Sequence, residues 1–215
     1  MAFVSAAAIR PTSFVGARVC SVAPSAATVT MAARSASVPF LPQPDACDGS
    51  MAGDVGFDPL NLSGIVDIKF LREGELKNGR VAMLAFLGVL VQEFVHLPSP
   101  LFSNPVATDA FFQVPAGGLW QIFLACGLVE FISHRGKLSY SDMFDGGREP
   151  GNFGFDPLNM YKGTPAQKKK LELAEVKNGR LAMIGIGGVI HSNFIYHQPI
   201  VSQLTHWVPI TQALK

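Results

Sequence analysis

Apolar positions gather in three long stretches, about residues 67–96, 118–136 and 168–197, each interrupted by single polar or charged residues. Their length and spacing predict helices rather than strands, because apolar residues recur at three- and four-residue intervals without strict alternation. The first and third stretches are copies. EGELKNGRVAMLAFLGV at 73–89 returns as LAEVKNGRLAMIGIGGV at 173–189, and a shorter run, VGFDPLNL at 55–62, returns as FGFDPLNM at 153–160. An internal repeat constrains architecture before any single residue does. Both copies pass from the short motif into the helix in the same sense, so the middle stretch must carry the chain back between them.

Composition then places these helices in a membrane. The 215 residues are 48% hydrophobic and only 15% charged, with mean hydropathy +0.29, too apolar for an ordinary soluble domain. No stretch is an unbroken apolar run of spanning length, but the cations are one-sided. Lys69, Arg72 and Lys77 lie at the start of the first stretch, Arg135 and Lys137 at the end of the second, and Lys162, Lys168, Lys169 and Lys170 before or at the start of the third. There is no Lys or Arg from Val91 to Leu119 or from Leu181 to Leu214. This asymmetry predicts an all-α membrane protein with three transmembrane helices, the first and third related by a pseudo-two-fold axis and crossing. A short amphipathic helix in the tail 198–215 completes the expected fold.

Residues 1–44 contain no Asp or Glu, three arginines and abundant Ala, Ser, Thr and Val. That is the composition of an organelle transit peptide, with an approximate end at residue 35 and cleavage near Met31–Ser37; a merely disordered terminus is the alternative. Residues 36–66 then form an N-terminal loop holding the first GFDPL motif, and 67–197 the helical domain. Net charge of +1 with no basic stripe excludes a nucleic-acid partner. Cys20, Cys47 and Cys126 are too scattered for a disulfide framework or zinc site. No nucleophile–base pair or phosphate cradle suggests an enzyme.

The charged residues within the helices carry the chemistry. Glu75 and Arg80 are five positions apart, roughly 140° around a helix, so they cannot easily pair with each other. Reciprocal pairing of Glu75 with Arg180 and of Arg80 with Glu175 would neutralise four charges whose isolated burial is costly. Ala82, Ala85 and Gly88, with Ala182, Gly185 and Gly188, are expected to let the two backbones approach. The four charges could be a structural clamp alone. A paired carboxylate nevertheless keeps spare lone pairs, and Asn78 and Asn178 add carbonyl oxygens about one turn away. Such oxygens suit magnesium, and a magnesium held in a macrocycle needs only one axial ligand.

The doubled ELKNGRVAM and EVKNGRLAM, each preceded by GFDPL, resembles the light-harvesting chlorophyll-binding proteins of chloroplast thylakoids, over about residues 50–200. The resemblance implies a multi-pass antenna that passes excitation energy to a photosystem core without bond chemistry, among neighbouring antenna subunits and thylakoid lipids. It implies chlorophyll a, with b or c as accessory pigment left open, and xanthophyll carotenoids. Glu75, Glu175, Asn78 and Asn178 become axial magnesium ligands, Asn78 standing where many members have His. Gln121 and Glu130 resemble the middle-helix ligand pair; otherwise they are polar residues at a helix interface. Gln92 fits a terminal ligand position, His191 is one residue short of one with Ser192 in the matching place, and His206 could ligate from the tail helix. Phe57, Asp58, Phe155 and Asp156 become carotenoid contacts, although Gly, Asp and Pro there also read simply as a turn. The entry SVPFLPQP resembles photosystem I antennae of red algae and their plastid descendants. A photoprotective member of the same family and a small membrane transporter are the rival readings.

Overall fold

The computed structural model describes residues 34–206 except 97, 100, 101 and 141. Almost all of the transit-peptide segment, and Trp207 with the rest of the tail, lie outside the described residues. Those described form five α-helices: α1 Ile68–Phe94, α2 Ala107–Gln113, α3 Ala116–Ser133, α4 Pro165–Tyr196 and α5 Ile200–Thr205. No strand occurs among them beyond an isolated bridge between Arg34 and Pro42. The described residues are therefore all-helical apart from loops and turns.

Local chemistry sets the helix ends. Asp67 caps α1 by accepting from the Lys69 N–H at 2.9 Å. Helix α4 begins three residues before the expected start, because Thr164 and Gln167 form a capping box and Pro165 presets the first turn. Beyond α3, Gly136 at φ 76° lets its N–H return to the Phe131 carbonyl. Helix α2 lies in a stretch expected to be loop.

Helices α1 and α4 pack on each other, closest at Gly79 and Gly179: a Cβ on either would lie 3.1 Å from the other's Cα. This corrects the expected contact set in part. Ala82 is buried and a Cβ on Gly185 would meet the Phe86 ring of α1, but Gly88 and Gly188 would each meet nothing within 4 Å and lie outside the contact. The reason is geometric: if Glu75 bonds Arg180 and Arg80 bonds Glu175, the contact point lies between positions 75 and 80 of each helix, not further along.

The three-crossing expectation meets a constraint. Only α3 among the described helices is long and apolar enough to cross a membrane unaided. In α1 and α4 the charged first halves leave uncharged stretches of only Val81–Gln92 and Leu181–Tyr196, shorter than the ~20 residues a self-sufficient span requires.

There is little conventional core among the described residues. The buried hydrophobic residues are Cys47, Ala82, Val106, Val176 and Ile200, while Trp120, Phe123, Leu128, Leu84, Leu87, Leu181 and Ile184 are all more than half exposed. No residue of α3 is buried. Contiguous apolar surface on this scale marks an interaction surface.

Candidate functional site

The centre of the site is the α1–α4 contact. Arg180 Nε donates to Glu75 Oε1 at 2.6 Å, and Arg80 Nε to Glu175 Oε1 at 2.7 Å. The two pairs are not equivalent. Arg72, one turn earlier on α1, donates to Glu75 Oε2 at 2.6 Å, so both oxygens of Glu75 face a guanidinium. Glu175 has Arg80 as its sole polar partner among the described residues, leaving Oε2 unengaged. Sequence reasoning missed Arg72, although its i,i+3 spacing to Glu75 was the signal.

The chain just before each short motif packs on this centre. Arg72 and Arg180 bond the carbonyls of Ala52 and Gly53, the latter at 2.9 Å. Gly53 and Gly151 both adopt φ 76°, a left-handed backbone that favours glycine, and a Cβ on Gly151 would press on the Leu76 side chain. Asp58 accepts from the N–H groups of Leu62 and Ser63, each at 2.9 Å, and from the Ser63 hydroxyl at 2.6 Å. Asp156 likewise accepts from Met160 N at 3.1 Å and Tyr161 N at 2.9 Å. These carboxylates thus nucleate the short 3₁₀ turns Leu62–Gly64 and Met160–Lys162. Phe57 and Phe155 are 62% and 87% exposed, leaving both rings open to an apolar ligand.

Partial burial raises the Asp58 pKa, but the Ser63 hydroxyl and the Ser63 and Leu62 amides outweigh it, and the net shift is downward from 3.8. A carboxyl depressed by folding stabilises above its unfolded value and loses that contribution as pH falls through the folded one. Asp58→Asn should therefore lower the melting temperature at neutral pH and flatten its decline below about pH 4. Thermal denaturation across pH reads this directly; an unchanged acid limb would remove Asp58 from the turn's energetics.

The remaining sequence-predicted residues are dispersed over the helix surfaces. Asn78, Asn178 and Gln121 are exposed, with no side-chain hydrogen-bond partner among the described residues. Gln92 donates its amide to the Asn104 carbonyl at 3.0 Å, which keeps its own oxygen available. His191 Nδ1 lies 2.8 Å from the Gly187 carbonyl, so it must donate there and leave the Nε2 lone pair outward. His206 caps α5 and, with Ser192 and Gln203, lines a cavity of about 430 Å³ between α4 and α5. Glu130 is engaged from α1: Lys77 Nζ lies 2.6 Å from its Oε2, with His134 at the end of α3 beside it.

Two acids escaped sequence reasoning. Glu73 is 2% exposed, accepts from the Gly151 N–H at 2.6 Å and lies 3.3 Å from Arg148 Nη2. Glu93 accepts from the N–H groups of Ile200 and Val201, holding the start of α5 against α1. No sequence signal marks the Glu73–Arg148 contact, which brings together residues 75 positions apart.

The family pattern described as Chlorophyll A-B binding protein matches residues 43–194. A fucoxanthin-chlorophyll a-c binding protein of Chattonella marina var. antiqua is 39% identical over 62% of this chain and 62% of its own length. The light-harvesting complex stress-related protein 1 of Chlamydomonas reinhardtii is 35% identical over 69% and 64% respectively. Chlorophyll a-b binding protein 6A of Solanum lycopersicum is 34% identical over 79% and 72%. The chain thus spans a little under two thirds of the length of the first two of these relatives. On the pattern match and the tomato protein, this chain belongs to the light-harvesting chlorophyll-binding protein family.

Proposed function

We propose that this protein is a pigment-carrying antenna of the plastid thylakoid membrane. It spans the bilayer three times, with α1 and α4 crossing about a pseudo-two-fold axis, and delivers excitation energy to a photosystem, with photosystem I as the assigned core. One observation carries the reading: an all-helical chain leaves its apolar helices unburied while presenting oxygen and imidazole donors along them. An uncovered surface of this kind is filled by lipid and flat or rod-shaped apolar pigments. The donor chemistry fits magnesium macrocycles, since carboxylate, amide and imidazole groups can each serve as a neutral or neutralised axial ligand.

The chain's part is to hold and orient. Glu175, with Oε2 unengaged, and Glu75, with lone pairs beyond its two guanidiniums, hold magnesium at the contact of α1 and α4. Asn78, Asn178, Gln92, Gln121, Glu130, His191 and His206 hold further macrocycles. Phe57 and Phe155 pack carotenoid ends, while Asp58 and Asp156 shape the turns that present them. When bound, chlorophylls supply the absorbing and energy-transferring chromophores, and carotenoids add absorption and quench triplets. The relatives' printed names support chlorophyll a with b or c, and a xanthophyll of the fucoxanthin type. Ser35 and Ser37 donate to the carbonyls of Gly56 and Val55 at 2.5 and 2.6 Å, which favours transit-peptide cleavage before Ser35.

The test is the pigment content of the full chain purified from pigment-containing membranes or refolded with a plastid pigment extract. Chlorophyll and carotenoid in fixed ratio to protein are expected, and a colourless folded preparation would overturn the reading. Asn178→Val should fold and carry one chlorophyll fewer; unchanged content would remove Asn178 from the ligand set. Similarity to a stress-related family member favours energy dissipation as the second reading. Fluorescence lifetime separates the two, being long for harvesting and short for dissipation.

A further inference from the structure

Glu130 is the sole charged residue in α3, Ala116–Ser133. A carboxylate in an otherwise apolar helix of spanning length needs a cation from elsewhere. Arg135, just beyond the helix, is exposed and makes no ion pair among the described residues. The cation that reaches Glu130 is Lys77 of α1, whose Nζ lies 2.6 Å from Glu130 Oε2, 2.6 Å from His134 Nε2 and 3.7 Å from Glu73 Oε1. Glu73 has its own neutralisation, from Arg148 at 3.3 Å and the Gly151 amide at 2.6 Å. The cluster therefore balances, two acids against Lys77 and Arg148, with His134 accepting from the ammonium and so neutral. Only Oε2 of Glu130 is engaged, and Oε1 has no partner among the described residues.

We propose that Lys77 is the positioning countercharge of the α3 pigment site: it reaches across from α1 to make Glu130 an electroneutral ligand, so occupancy of that site depends on a residue of another helix. This rests on the antenna reading above. It assigns Lys77 a role distinct from the Glu75–Arg180 and Arg80–Glu175 pairs, and it makes loading of the middle helix contingent on its docking against α1. Uncompensated, a carboxylate binds a macrocycle only while carrying net charge into an apolar surrounding, which is unfavourable. A neutral amide at the same position has no such need.

The full chain is refolded with a chlorophyll and xanthophyll extract, and pigments per polypeptide are counted after extraction, with circular dichroism recording helix content. Lys77→Met should lose one chlorophyll per chain, and Lys77→Met combined with Glu130→Gln should recover it, because glutamine ligates without a countercharge. Glu130→Gln alone is the reference for the double variant, which should match its pigment count. Lys77→Met with wild-type pigment content would overturn the proposal. So would a double variant that stays one pigment short while Glu130→Gln is full, since Lys77 would then act only as a tie between helices. Failure of the antenna reading looks different: the unaltered chain itself would fold without pigment.

Discussion

Gly179→Leu should abolish assembly of the pigmented complex, with Gly179→Ala lowering its melting temperature but still assembling. A Cβ at this position meets the Gly79 Cα at 3.1 Å, and that neighbour is backbone, which cannot rotate aside. Overpacking costs about 1–3 kcal/mol where side chains can adjust. Here the alternative is separation of α1 from α4, which would stretch both Arg80–Glu175 and Arg180–Glu75, at 2.7 and 2.6 Å, on either side of the contact. Leucine therefore sets its own bulk against two ion pairs at once. The measurement is the fraction of chain recovered as folded, pigmented complex together with its melting temperature. A leucine variant that assembles with wild-type stability would show that the helices do not depend on their closest approach.

The second large effect separates two residues that the repeat makes look alike. Arg80→Leu should be more damaging than Arg180→Leu. Loss of Arg180 leaves Glu75 with Arg72 at 2.6 Å, whereas loss of Arg80 leaves Glu175 with no cation among the described residues. Both side chains of the Arg80–Glu175 pair are 34% exposed, where such a pair is worth about 0.2–1 kcal/mol in water; once lipid and pigment cover it, a stranded partner costs about 3–5 kcal/mol. Assembly yield should fall in the order wild type, Arg180→Leu, Arg80→Leu, and Glu175→Gln should restore much of the yield of Arg80→Leu. The opposite order, or equal losses, would dismiss Arg72 as a second partner.

This asymmetry shows where reading the chain by itself runs out. The doubled KNGR motif pairs each glutamate with the arginine of the other copy by spacing alone, since residues five apart on one helix face away from each other. The same arithmetic places the ion pairs at the crossing, whereas two of the small residues expected to line it, Gly88 and Gly188, have nothing within 4 Å of an added Cβ. Small side chains are equally common where backbones meet and where a bulky ligand lies, and the sequence does not separate the two. Likewise the Asp of each GFDPL motif reads in the sequence both as a turn residue and as a carotenoid contact, and the structure shows its oxygens engaged in the turns after Asp58 and Asp156.

Composition, the repeat and the spacing of charges determined the all-helical character of the described residues, the two related helices and their reciprocal Glu–Arg pairs, because these depend on residues a few positions apart or on the copied motif. Which donors keep an oxygen to spare was decided only in three dimensions. Lys77 on Glu130, Arg72 on Glu75, Arg148 on Glu73 and Glu93 on α5 depend on where the loops and helices come to rest. Apart from Arg72, these partners are tens of residues away in the chain. A charged side chain takes whichever opposite charge the fold brings within reach, and that choice has no periodicity to read.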